Sequence, residues 1–123
     1  MKHARHSIWL ACLALLVVLT GPWVCAQDKI DMKLLYAGHP GSDREKDFVG
    51  FLEKHFVHVE TCDLKGFKQS QSKGFAVTLM DYDGDGFKAP RPSVRREYEG
   101  SLMTVGVIGA FICGNLQLKT GYL

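Results

Sequence analysis

Apolar positions in this chain fall into short runs closed by turn residues, with one stretch at helical spacing between them. Residues 32–37 (Met-Lys-Leu-Leu-Tyr-Ala) are of strand length, and Gly38-His39-Pro40-Gly41 ends them with turn chemistry. Ser42 followed by Glu45 is a capping-box pattern, and Asp43, Glu45 and Asp47 suit the positive end of a helix dipole. Phe48, Leu52 and Phe56 then recur every four residues with Val49 beside them, which predicts an amphipathic helix over 43–56. Val57 to Leu64 reads as a second strand, in which Val57, Val59 and Thr61 alternate with His58 and Glu60. Lys65 to Gly74 is a polar connector, a short helix or a loop. Phe75 to Met80 is a third strand closed by Asp81, and Leu102 to Ile108 a fourth. Residues 82–100 between them are irregular, with Gly84, Gly86, Pro90 and Pro92. Gly109 and a further apolar stretch, Ala110 to Cys113, follow the fourth strand.

Strand, helix, strand, connector, strand, loop, strand is the rhythm of a parallel sheet with covering helices. Near-continuous apolar runs are what strands buried on both faces require. Such a sheet needs a covering helix after its fourth strand and usually a fifth strand. Leu116 to Leu123 is the expected start of that helix, so a domain incomplete at its C-terminus is expected.

The first residues change the setting. Lys2 and Arg5 precede an apolar run from Ile8 to Leu19, and Gly21-Pro22 breaks it. Val24-Cys25-Ala26 then offers small residues for cleavage. This is the pattern of a secretory signal peptide over 1–26. The run falls short of the ~20 apolar residues of a membrane span. Lipidation at Cys25 is the other alternative, and Trp23 suits it poorly. The expected product is a single secreted or periplasmic domain over 27–123.

Charge follows from the same division. The whole chain carries a net +2, with 15 Lys and Arg against 13 Asp and Glu. From Gln27 onward basic and acidic residues balance at 13 each. The basic excess belongs to the leader, which leaves no electrostatic case for a nucleic-acid or membrane partner. Arg91, Arg95 and Arg96 cluster beside Glu97 and Glu99 and read as a solvated face. Cys62 and Cys113 are two buried thiols or one disulfide, which an exported compartment permits.

Three constellations could carry chemistry. Ligands of open parallel sheets bind beyond the carboxyl ends of the strands, and a Gly-rich loop running into a helix offers N–H groups to an anion. Gly38, Gly41 and Ser42 are candidates there, with His39 placed to exchange a proton. Asp81-Tyr82-Asp83-Gly84-Asp85-Gly86 matches the front half of a calcium loop, so Asp81, Asp83 and Asp85 are candidate calcium ligands and Asp81 and Asp83 candidate ligand contacts. The back half fails: Pro92 stands where a bidentate Glu belongs. Cys113, followed by Gly114, is a candidate nucleophile if it lies on a sharp strand-to-helix turn. No base can be assigned to it from His39, His55 and His58.

Leu34-Leu35-Tyr36-Ala37-Gly38, the strand ending in Asp81, and Val105-Gly106-Val107-Ile108-Gly109-Ala110 together resemble the class I glutamine amidotransferase-like superfamily. Within it, the exported trehalose-utilisation-type (ThuA-like) proteins are the most similar. The resemblance implies a flavodoxin-like three-layer α/β/α fold with a mostly parallel sheet. With Cys113 in the nucleophile's place it implies a hydrolase or amidotransferase. Phe111 and Asn115 depart from a Gly-x-Cys-x-Gly pattern, and no His follows. A non-catalytic member that binds a small polar or anionic ligand is therefore expected, without a cofactor. A cysteine-dependent hydrolase and a calcium-stabilised module are the alternatives.

Overall fold

The chain enters its sheet at the centre. In the computed structural model, which describes residues 28–118, strand β1 (Ile30–Gly38) is flanked on both sides, by β2 (Phe56–Asp63) and β3 (Val77–Tyr82). Strand β4 (Ser101–Gly106) pairs with β3, and all three pairings are parallel. The order β2-β1-β3-β4 is that of a flavodoxin-like α/β fold. Helix α1 (Asp43–His55) connects β1 to β2, and helix α2 (Ile108–Asn115) follows β4.

The apolar residues of β1 explain its position. Leu34, Leu35, Tyr36 and Ala37 are all buried, so alternate side chains must find cover on opposite faces. On one face Leu34, Tyr36 and Leu79 pack with Leu52 of α1, and Phe48 and Val49 close the margin. On the other, Leu35, Ala37 and Met80 meet Leu64, Phe67, Val94, Ile108 and Ile112. Each large apolar side chain buried this way contributes about 1.5–3 kcal/mol. The result is three layers, with loop segments replacing a helix over much of the second face.

That replacement lies in the connector. The chain must cross β1 to travel from β2 to β3, and it does so through two 3-10 turns, Leu64–Gly66 and Gln69–Ser72. Leu64 and Phe67 are its buried anchors.

α1 begins as its sequence predicts. Ser42 is the N-cap, and its Oγ accepts the Glu45 N–H at 3.1 Å. The Glu45 carboxylate reaches back one residue further than a capping box, accepting the Gly41 N–H at 2.6 Å.

Two predicted segments shift. The third strand runs over Val77–Tyr82 and not 75–80, so Asp81 lies inside it and is buried. The fourth ends at Gly106, two residues before the predicted Ile108. Gly106 takes φ 76°, and the Val107 N–H donates to the Tyr82 carbonyl. A Cβ on Gly106 would collide with that same carbonyl oxygen, so only glycine fits this turn. The apolar stretch after it is helical: Ile108 and Ile112, four apart, face the sheet. The covering helix expected over 116–123 therefore begins at Ile108, and Leu116 is its C-cap. The segments 1–27 and 119–123 lie outside the described residues, and the expected signal peptide over 1–26 lies in the first of them. No helix of the described residues is long and apolar enough to cross a membrane.

Candidate functional site

Chain direction reverses about β1: α1 carries it to β2 on one side, and the connector carries it back across to β3. The carboxyl ends of β1 and β3 therefore flank a topological switch point, where open α/β sheets place ligands. Two structures occupy this edge, one on each face of the sheet.

On the α1 face three distant residues converge. Tyr36 and Asp81 project from adjacent strands toward α1. The Tyr36 hydroxyl donates to Asp81 Oδ2 at 2.8 Å. Arg44, in the first turn of α1, donates from Nε to Oδ2 at 2.6 Å and from Nη2 to Oδ1 at 2.8 Å. Its Nη1 lies 3.2 Å from Asp83 Oδ2. The Asp81 side chain is 2% exposed and that of Arg44 36%. A buried carboxylate is tolerable only with such a set of donors. The Phe48 ring completes the arrangement, 5.1 Å beneath the guanidinium and 5.8 Å from the Tyr36 ring. Gly38 makes room for it, since a Cβ there would collide with the Tyr36 ring.

The electrostatics follow from this geometry. Burial pushes the Tyr36 hydroxyl far above the usual tyrosine range, and its hydrogen bond to the Asp81 carboxylate adds to the effect. The hydrogen bond to Asp81 likewise raises Arg44. Tyr36 is thus a neutral donor and Arg44 a fixed cation, which makes the trio a clamp between α1 and β3.

On the opposite face a cleft of about 420 Å³ opens beyond the ends of β1, β2 and β3. Pro40, Leu64, Tyr82 and Pro90 form its apolar walls, and His39, Asp63 and Lys65 bring donors and acceptors to it. Asp63 Oδ1 accepts the Lys65 N–H at 2.9 Å and so shapes the corner between them.

The candidates from the sequence separate into these surroundings. Gly38 and His39 line the cleft. Gly41 and Ser42 do not offer free N–H groups to an anion. The Gly41 N–H is taken by Glu45, and the Ser42 N–H donates to the His39 carbonyl. Asp81 and Asp83 are joined through Arg44, while Asp85 Oδ1 caps a 3-10 turn by accepting the Phe87 N–H at 2.9 Å. No group of three or more acidic, His or Cys side chains converges on a metal position among the described residues. Cys113 lies within α2, seven residues beyond β4 and not on the strand-to-helix turn that Gly106 and Val107 make. Cys62 and Cys113 are free and half-buried. Burial, with Asp63 adjacent, pushes the Cys62 thiol up, away from nucleophilic character.

Arg44, Tyr36 and Lys65 were not legible as site residues. Arg44 did carry a weak signal: a cation in a first turn otherwise rich in acid opposes the helix dipole, which favours a compensating partner.

Four parallel strands in this order, open at a switch point, define an α/β domain of flavodoxin-like architecture. Compared with known proteins, the chain matches no family model, no curated protein and no solved structure.

Proposed function

We propose that this chain is an exported, non-catalytic domain that binds a small polar ligand in the cleft lined by His39, Asp63, Lys65 and Tyr82. The single observation that carries the reading is the cleft's place at the carboxyl edge of the sheet, beside the switch point. Its lining selects the ligand class. Aromatic and prolyl walls suit the apolar face of a ring, while an imidazole, a carboxylate and an ammonium suit hydroxyl or carboxylate substituents. A hydroxylated ring compound such as a sugar or sugar acid meets both demands. The leader pattern over 1–26 supports export. The non-catalytic part rests on Cys113, which sits in mid-helix, and on the clamp of Tyr36, Asp81 and Arg44, whose polar groups satisfy one another. Within the amidotransferase-like resemblance, this is the profile of a relative that keeps the sheet and has lost the nucleophile.

Titration calorimetry with neutral disaccharides, sugar acids and inorganic phosphate tests this. Binding of a sugar or sugar acid that His39→Ala and Lys65→Ala each weaken by about tenfold, roughly one lost charged hydrogen bond, supports it. No heat with any probe, or binding that neither variant changes, removes it.

A further inference from the structure

The walls of the cleft come from β1, β2 and β3 and the loops that follow them, and Tyr82, the last residue of β3, brings a phenol ring to it. Its neighbours in the chain aim that ring. Arg44 holds Asp81 and Asp83 on the α1 face, with Nε 2.6 Å from Asp81 Oδ2 and Nη1 3.2 Å from Asp83 Oδ2. Successive side chains of an extended chain point to opposite faces, so the residue between these two carboxylates is sent the other way. Tyr82 accordingly packs with Leu35, Ala37 and Met80 on the cleft side of the sheet, where it is half-buried.

Gly84 fixes the other end of the ring. A Cβ at Gly84 would stand 2.7 Å from the Tyr82 hydroxyl oxygen and 2.8 Å from Cζ. The ring tip thus occupies space that any side chain at 84 would take. Gly84 is not among the glycines with positive φ, so a larger residue there displaces the ring and not the backbone. Tyr36 and Tyr98 lie against Gly38 and Gly100 in the same way, but their hydroxyls donate to Asp81 and Thr78 and neither ring lines the cleft.

We infer, on the reading that the cleft is the ligand site, that Tyr82 is its specificity-determining residue, a preset platform that selects cyclic over open-chain polyhydroxy acids. Gly84 is the residue that positions it. A sugar ring offers a rigid face of C–H groups to an aromatic ring, and Pro40 and Pro90 extend the apolar lining around it. An open chain must surrender its free rotations to present a comparable face, which costs affinity. Lys65 offers the same ammonium to the carboxylate of either ligand, so it does not discriminate between them. The platform is in place before the ligand arrives and adds no ordering cost of its own.

Titration calorimetry of the full chain with methyl glucuronide and with gluconate tests this. Both carry a carboxylate and a run of hydroxyls, and they differ in ring closure. The glucuronide is expected to bind about tenfold more tightly. Tyr82→Phe keeps that ratio. Tyr82→Leu brings it close to one by weakening the glucuronide, and Gly84→Ala, which leaves Tyr82 in the chain and strains no backbone, does the same by tipping the ring. Lys65→Ala weakens both acids. Equal wild-type affinities overturn the inference while leaving the cleft as the ligand site. A ratio that Tyr82→Leu and Gly84→Ala both leave unchanged, or that Tyr82→Phe abolishes, does so too. Binding of neither acid also overturns it, and the cleft reading falls with it only if neutral disaccharides and inorganic phosphate give no heat either.

Discussion

Arg44 and Asp81 are 37 residues apart and meet through two parallel hydrogen bonds, Nε to Oδ2 at 2.6 Å and Nη2 to Oδ1 at 2.8 Å. The pair ties the first turn of α1 to the end of β3 and holds the carboxyl edge of the sheet to a single geometry. Bidentate pairing of this kind needs the planar guanidinium, so a lysine at 44 does not replace it.

Removal of the cation leaves a buried carboxylate with the Tyr36 hydroxyl as its remaining side-chain donor. Arg44→Ala is expected to cost about 3 kcal/mol, the lower end for breaking a buried ion pair because Arg44 is part-exposed. Tyr36→Phe removes one hydrogen bond to a charged acceptor and is expected to cost about 1.5 kcal/mol. Urea denaturation of the two variants and of the double variant measures both values. An Arg44→Ala loss no larger than that of Tyr36→Phe contradicts the clamp.

The raised Tyr36 hydroxyl makes a pH prediction whose sign is fixed. The folded state holds this proton more tightly than the unfolded chain, whose tyrosines ionise near pH 10. The stabilising contribution is therefore complete below about pH 10 and is lost as pH rises beyond it, since only the unfolded state then releases the proton. Unfolding free energies measured across alkaline pH are expected to fall more steeply for the wild type than for Tyr36→Phe. Equal slopes rule out a buried, neutral Tyr36.

Gly106 is the turn that converts a strand into a helix. Gly106→Ala places a Cβ at φ 76° and against the Tyr82 carbonyl, and a loss of about 2 kcal/mol or more is expected from the left-handed backbone and the collision together. Gly41→Ala is the informative control. It shares the positive φ, at 74°, but meets no neighbour, and is expected to cost only about 1–2 kcal/mol. Equal thermal shifts for the two variants show that the carbonyl contact contributes nothing.

Burial and the adjacent Asp63 both hold the Cys62 thiol in its protonated form. Maleimide labelling at neutral pH is expected to be slower at Cys62 in the folded protein than at the same residue in urea, and to quicken as pH rises toward the raised value. Peptide mapping by mass spectrometry reads the site, and equal rates in the two states contradict its burial.

Local chemistry was sufficient to read much of this fold. The Ser42 cap with its acidic first turn, the four-residue spacing of Phe48 and Leu52, and the apolar run through Leu34 and Ala37 act within a few residues, so α1 and β1 are legible from the chain alone. The α/β architecture follows from their alternation. What the sequence could not show depends on contacts between distant segments. Asp81 reads as a strand terminator until Arg44 and Tyr36 supply the donors that let it be buried within β3. Ile108 reads as strand until the Tyr82 carbonyl captures the Val107 N–H and turns the chain into α2. Cys113 loses its place on a turn for the same reason. Propensity and periodicity are local quantities, whereas the pairing of a buried charge and the satisfaction of a backbone donor are decided by whatever the folded chain brings alongside.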